Sequence, residues 1–213
     1  MAATWRHRSS RGPPSCCPGR TVSGLILSAP TAAPGGGRRR LRQNPVMTAA
    51  PVTVRSATEA DLPAIKDIYD AEVLDGISTF ALTAPELSHW SERLHSGTPG
   101  DHLVVAEADC GVLGYAFSGP YRPREAYART REASVYLTRA ARGRGIGRLL
   151  YDELLGRLRS DGMRLVVAVV ALPNDASRAL HLGRGFDSVG VLHDVGHKHG
   201  RWIDTELFEL RLR

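Results

Sequence analysis

Apolar and polar positions alternate with two different periods along this chain, and each change of period marks an element. Val52-Thr53-Val54-Arg55 alternates one in two, as a half-buried strand does. Thr58 then precedes Leu62, Ile65, Ile68, Tyr69 and Val73, which fall on one helical face and predict a helix capped by Thr58. Pro85 suits the first turn of a second helix reaching about Leu94. Residues 102–107 and 112–118 read as two strands joined by the tight turn Ala108-Asp109-Cys110-Gly111. A basic loop over 120–127 leads into a long strand ending at Leu137. A glycine-rich stretch and an amphipathic helix over 148–159 follow. The unbroken apolar run 164–172 predicts a strand buried on both faces. A short helix over 175–183 and strands near 186–195 and 204–210 complete the order β-α-α-β-β-β-α-β-α-β-β, an α/β class. No internal repeat is seen.

Residues 1 to about 50 break this pattern. They are rich in Arg, Ser, Gly and Pro, as in Pro34-Gly35-Gly36-Gly37-Arg38-Arg39-Arg40, a composition that buries no core and predicts disorder. Translation beginning at Met47 is the favoured account. An organelle-targeting segment and a short interaction tail are the alternatives. The formal charge of +6 resides here as well. Residues 1–47 hold eight arginines and no acid, leaving 20 basic against 22 acidic residues in the remainder. The orderly part, residues 51–213, therefore offers no electrostatic reason to expect a nucleic-acid partner. Val22 to Ala29 is too short an apolar run to span a bilayer. Cys16, Cys17 and Cys110 form no metal-ligand or disulfide pattern, so no metal is expected.

The chemistry concentrates at Arg142-Gly143-Arg144-Gly145-Ile146-Gly147, between a strand and a helix. Three glycines let the backbone turn tightly and gather N–H groups at the positive end of a helix dipole, an arrangement suited to a pyrophosphate. A dinucleotide fingerprint would need a glycine where Arg148 stands, and no G-x-x-x-x-G-K-[ST] run exists.

A strand, Arg-x-x-Gly-x-Gly and a helix together resemble the acyl-CoA pyrophosphate loop of the GNAT acetyltransferases. Five stretches narrow the resemblance to the phosphinothricin and methionine sulfone N-acetyltransferase branch, over about Val54 to Phe208. They are Val54 to Asp61, Gly119-Pro120-Tyr121-Arg122-Pro123-Arg124-Glu125-Ala126-Tyr127, Glu132-Ala133-Ser134-Val135-Tyr136-Leu137, Val167 to Asp175, and Gly196-His197-Lys198-His199-Gly200-Arg201-Trp202. The resemblance implies a GNAT fold, a mixed central sheet flanked by helices. It also implies acetyl-CoA as cosubstrate, no metal, a small amino-acid acceptor, a homodimer and a cytoplasmic enzyme.

Amine acetylation on a thioester needs a neutral amine, a polarised carbonyl and a stabilised thiolate. By resemblance Glu132 is the general base and His181 the partner of the thiolate. Backbone groups of Val135, Tyr136 and Leu137 lie along the pantetheine arm of a strand that splays from its neighbour. Arg142 to Gly147 hold the pyrophosphate, and Asn174 contacts CoA. Phe80, Arg122, Arg124, Tyr127 and Lys198 are expected to meet the acceptor, the arginines through paired hydrogen bonds to oxyanions. Each also has a structural alternative: Glu132 could pair with Arg129 or Arg131, His181 could be a core histidine, and Asn174 a helix cap. The basic loop could be solvated, and Lys198 could stabilise a hairpin or dimer.

One departure stands out. The branch usually reads Leu-His-Glu-Lys/Arg-Leu-Gly-Phe where this chain has Leu180-His181-Leu182-Gly183-Arg184-Gly185-Phe186. A glycine costs helix about 1 kcal/mol relative to alanine, and an arginine takes an apolar place. A buried Arg184 would need a partner. Rival readings are a GNAT enzyme for a polyamine, an aminoglycoside or a protein N-terminus, and a non-catalytic acyl-CoA-binding module.

Overall fold

A computed structural model describes residues 51–213; the disorder and start site predicted for residues 1–50 lie outside them. Seven strands form one sheet in the order β1-β2-β3-β4-β5-β7-β6. They are β1 (Thr53–Ser56), β2 (Leu103–Ala108), β3 (Gly111–Pro120), β4 (Thr130–Leu137), β5 (Leu165–Ala171), β6 (Asp187–Lys198) and β7 (Arg201–Arg211). Four helices flank it: α1 (Leu62–Asp75), α2 (Leu87–Leu94), α3 (Ile146–Ser160) and α4 (Asp175–Leu182).

The alternation in β2 explains the layering. Val104 and Ala106 point to one face and join Leu150, Tyr151, Leu154 and Leu158 of α3. Leu103 and Val105 point to the other and meet Leu62, Ile65 and Ile68 of α1 with Trp90 of α2. Each such fully buried aliphatic side chain stabilises the fold by roughly 1.5–3 kcal/mol before chain entropy is counted.

Only β4 and β5 run parallel, and their pairing is short. Thr130, Arg131 and Glu132 pair with Leu165, Val166 and Val167, and there it stops. Beyond Glu132 the outer edge of β4 and the inner edge of β5 face a gap, while β3 and β7 hold their other edges. The splay implied by the resemblance is present. It also corrects the reading of β5 as buried on both faces, because Val169 opens onto the gap and is 45% exposed.

Other boundaries move for local reasons. Pro85 lies outside α2; Glu86 is the extended N-cap, and the Pro85 carbonyl accepts a bond from Lys66 Nζ at 2.8 Å. Helix α3 starts at Ile146, two residues before the expected Arg148, because Gly145 caps it at φ 79°. The last two strands are longer than the apolar pattern suggested. A two-residue turn at His199 and Gly200, both at positive φ, closes a hairpin whose polar Gly196-His197-Lys198 is still paired. Helix α4 ends at Leu182, with Gly183 as its cap. Arg184 is not stranded in the core: it pairs with Asp152 of α3 and donates from Nε to the Gly183 carbonyl at 2.9 Å. No helix among the described residues is long and apolar enough to cross a membrane.

Strands β3 and β4 leave no room for a side chain at Gly114, where a Cβ would lie 2.4 Å from Leu137 Cδ2 and 2.6 Å from the Tyr136 carbonyl oxygen. Gly114→Ala is expected to destabilise the domain by about 1–3 kcal/mol, read as a lowered midpoint in urea at unchanged slope.

Candidate active site

Two cavities adjoin where β4 and β5 part. The first, about 390 Å³, lies between the 77–80 segment, α2 and the sheet. Phe117 and Gly119 enter it from β3, Glu132, Ser134 and Tyr136 from β4, and Arg93 from α2. The second, about 470 Å³, runs along β4 from Ala133 to Leu137, passes the start of α3 and ends against α4. Ser134, Tyr136, Val169 and Ala171 line both. A long ligand in the second cavity would thus present its end to a small one in the first.

Glu132 stands at the apex, the last β4 residue paired with β5, and Gly119 of β3 is its partner on the other side. Its neighbour Arg131 points elsewhere, bonding the Pro99 carbonyl and lying 3.4 Å from Asp101. No ion pair or hydrogen bond reaches the Glu132 carboxylate among the described residues. Burial therefore raises its carboxyl above the ordinary carboxylate range, and the Arg93 guanidinium opposes part of that rise.

Gly145, Ile146, Gly147 and Arg148 form one wall of the second cavity with Arg142 and Gly143. The first turn of a helix carries N–H groups without intrahelical partners and the positive end of the dipole, so this end favours phosphate. Arg142 also makes an ion pair with the buried Glu72, which anchors the loop to α1.

His181 is buried against Tyr151, Phe186 and Phe208. Its Nδ1 lies 2.7 Å from the Ser177 carbonyl oxygen, which can only accept, so Nδ1 carries the proton. Nε2 is then the acceptor, and the Tyr151 hydroxyl donates to it at 2.8 Å. Burial lowers the imidazole pKa, partly offset by the Ser177 bond, which keeps the ring neutral. His181 and Tyr151 both line the second cavity.

The Acetyltransferase (GNAT) family profile matches residues 65–186. The chain belongs to the GNAT family. Among its relatives is the phosphinothricin N-acetyltransferase of Alcaligenes faecalis, 42% identical over 162 residues, 74% of this chain and 81% of that protein. The L-methionine sulfoximine/L-methionine sulfone acetyltransferase of Pseudomonas aeruginosa is 37% identical over 164 residues, 75% and 94% of the two chains. A solved structure, a phosphinothricin acetyltransferase from Sinorhizobium meliloti in complex with AcCoA, superposes with a TM-score of 0.72 at 40% identity, covering 76% of this chain and 88% of that one.

Within this GNAT domain the sequence-predicted residues divide into two groups. Glu132, Phe80 and Tyr136 line the first cavity. Val135, Leu137, Arg142, Gly143, Gly145, Ile146, Gly147, Asn174 and His181 line the second, and Arg144 does not. Asn174 is also the cap of α4, its Oδ1 accepting from the Ser177 N–H at 3.1 Å. The basic loop stays outside the first cavity: Arg122 and Arg124 are exposed, Arg122 lies over the Tyr121 ring, and Tyr127 packs edge-on against that ring. Lys198 lines neither cavity and is buried behind them, its Nζ donating to the carbonyls of Glu72 at 3.1 Å and Thr79 at 2.8 Å. It ties the final hairpin to α1 and the 77–80 segment.

Arg93 and Tyr151 escaped the sequence reading. Tyr151 sits in the apolar stripe of α3, where a core tyrosine and a cavity tyrosine look alike. Arg93 left a signal: it lies three residues after the buried Trp90, on the inward side of α2.

A depressed histidine pKa means the unfolded chain binds the proton more tightly. The stability held by neutral His181 is therefore complete above its unfolded pKa of about 6.5 and is lost as pH falls toward the lower folded value. Melting temperatures taken from pH 7.5 to 5 should fall less steeply in His181→Asn than in the unmodified protein; parallel curves would contradict the assignment of a buried neutral ring.

Proposed function

We propose that this GNAT enzyme transfers the acetyl group of acetyl-CoA to the α-amino group of a small amino acid or analogue, of the phosphinothricin or methionine sulfone type. Transfer is by direct attack within a ternary complex. The observation that carries this reading is the junction of the two cavities along Ser134 and Tyr136, with Glu132 lining the first cavity two residues before that shared wall. Relatives that acetylate such compounds, and a relative solved with AcCoA, support it.

Acetyl-CoA supplies an activated thioester. The second cavity fits its extended shape: an open β4 edge for a pantetheine arm, then the glycine loop and helix start for a pyrophosphate. Backbone groups of Val135 to Leu137, relieved of β5, polarise the carbonyl. The half-buried Glu132, its proton affinity raised, takes the proton from the incoming ammonium. As the C–N bond forms and the C–S bond breaks, the Tyr151 hydroxyl, which His181 Nε2 orients beforehand, hydrogen-bonds to the leaving thiolate, and the second proton of the attacking nitrogen goes to that sulfur, which leaves as the CoA thiol. Asn174 serves the pantetheine amides. Phe80 closes the acceptor side as an apolar wall. A polycationic acceptor fits poorly beside Arg93. We place the enzyme in the cytoplasm, and acetylation of a toxic analogue there would confer resistance to it.

The edge of the sheet supports a homodimer. On β6, Val189, Leu192 and Val195 are 59, 49 and 48% exposed, and Trp202 on β7 is 64% exposed. An apolar edge strand of this length is a surface that soluble chains cover. Sedimentation should give a dimer that Leu192→Lys with Trp202→Lys converts to a monomer; a monomeric unmodified protein would remove the inference.

Thiol release from acetyl-CoA by the purified protein tests the activity. Phosphinothricin, methionine sulfone, methionine sulfoximine, ordinary amino acids and a polyamine form the acceptor panel. Saturable turnover with the oxygen-rich amino acids is expected. Glu132→Gln should lower kcat by about 10²–10⁴-fold while CoA binding is kept. In the unmodified protein kcat/KM should fall as pH drops through the raised carboxyl pKa, since only the carboxylate accepts the proton. CoA binding without turnover of any acceptor would instead identify a binding module.

A further inference from the structure

Arg93 is the charged residue of the first cavity that the reaction scheme leaves unused. Its guanidinium carbon lies 4.2 Å from the centroid of the Phe117 ring, which packs beside Tyr136. Nη1 stands over Gly119, where a Cβ would come within 3.1 Å of it. Gly119 is the cross-strand partner of Glu132. The guanidinium and the Glu132 carboxylate thus face the cavity from adjacent positions, yet they form no ion pair among the described residues. Among the described residues no carboxylate forms an ion pair with Arg93, and its Nε is buried without a hydrogen-bond partner. The Asp101 carboxylate acts on this cation only at a distance, without the direct partner that a charge removed from water calls for. Burial accordingly weakens its hold on the proton.

Those facts fit one ligand group. In an α-amino acid the ammonium and the carboxylate share a carbon, so a ligand whose amine meets Glu132 carries its anion only a few ångströms away. We propose that Arg93 receives the α-carboxylate of the acceptor and makes the enzyme select amino acids over simple amines. This deepens the proposed amino-acid specificity and rests on it. It also moves anion recognition from the exposed Arg122 and Arg124 to α2. Arg93 fixes where the amine sits, and its charge reaches the base as well: neutralisation by a bound carboxylate removes the field that holds the Glu132 pKa down.

The test compares methionine sulfone with 3-(methylsulfonyl)propylamine, the same molecule without its carboxylate, in the unmodified protein and in Arg93→Gln. The unmodified protein should prefer the amino acid. Arg93→Gln should raise KM for the amino acid about 10–100-fold, as loss of a charge-assisted hydrogen bond does. KM for the amine should be nearly unchanged and CoA binding intact. The acid limb of kcat/KM measured with the amine should also move to higher pH in Arg93→Gln, which a merely structural arginine would not cause. Equal losses for both acceptors, or no loss for either, would overturn the proposal. If Arg93→Gln does not fold, Arg93→Lys keeps the charge without the planar fork. The amino-acid preference should then drop severalfold, and an unaltered preference would refute the role. Failure of the broader reading looks different: the unmodified protein would acetylate neither compound, or only the amine.

Discussion

The early end of the β4–β5 pairing is the constraint on which the other features of this molecule depend. Three residue pairs hold the strands together, and beyond Glu132 and Val167 each edge turns to a gap. Backbone groups that a sheet would normally satisfy internally must find partners elsewhere, which makes the gap a binding surface for an extended ligand with amides of its own. The parting also sets Glu132 at the apex, half-buried, while its sequence neighbour Arg131 points to Pro99 and Asp101. That burial raises its proton affinity.

The two helical layers serve this geometry from opposite faces. Helix α3 brings its N-terminus to one end of the gap and Tyr151 to its middle, and the apolar stripe that buries α3 fixes both. Helices α1 and α2 pack on the other face through Trp90, Ile65 and Ile68, and the same face carries Arg93 into the first cavity. Lys198 takes the structural alternative given for it: by bonding two carbonyls it ties the final hairpin to α1 and to the segment that holds Phe80. The buried Lys198 ammonium is matched to backbone acceptors, as a low-dielectric interior demands.

The unusual 182–185 segment shows how a local irregularity can be absorbed. Ending α4 at Leu182 lets Arg184 reach Asp152, so neither an uncapped helix nor an unpaired buried charge results. His181 keeps its place one residue before the end, with both ring nitrogens engaged. The ring is consequently a fixed acceptor for Tyr151 rather than a mobile acid.

Much of this was legible in the residues themselves. Hydrophobic period separates strands from helices because side chains alternate at 2 or 3.6 residues whatever the tertiary context. The glycine loop announced itself because glycine adopts the left-handed backbone angle at Gly145 at least cost. Glu132 and His181 were legible through resemblance. What only the tertiary structure decided concerns side-chain direction and strand divergence. Whether Lys198 meets a ligand or a carbonyl depends on elements more than a hundred residues away. Whether Arg122, Arg124 or Arg93 enters the cavity depends on the packing of α2 and the course of a loop, and neither leaves a periodic trace. Val169 reads as a core residue because the apolar run of β5 is the same whether its neighbour stays paired or parts from it. Local sequence therefore specified which elements form and where an anion-binding turn lies. Long-range packing decided which charges face each other across the cavity.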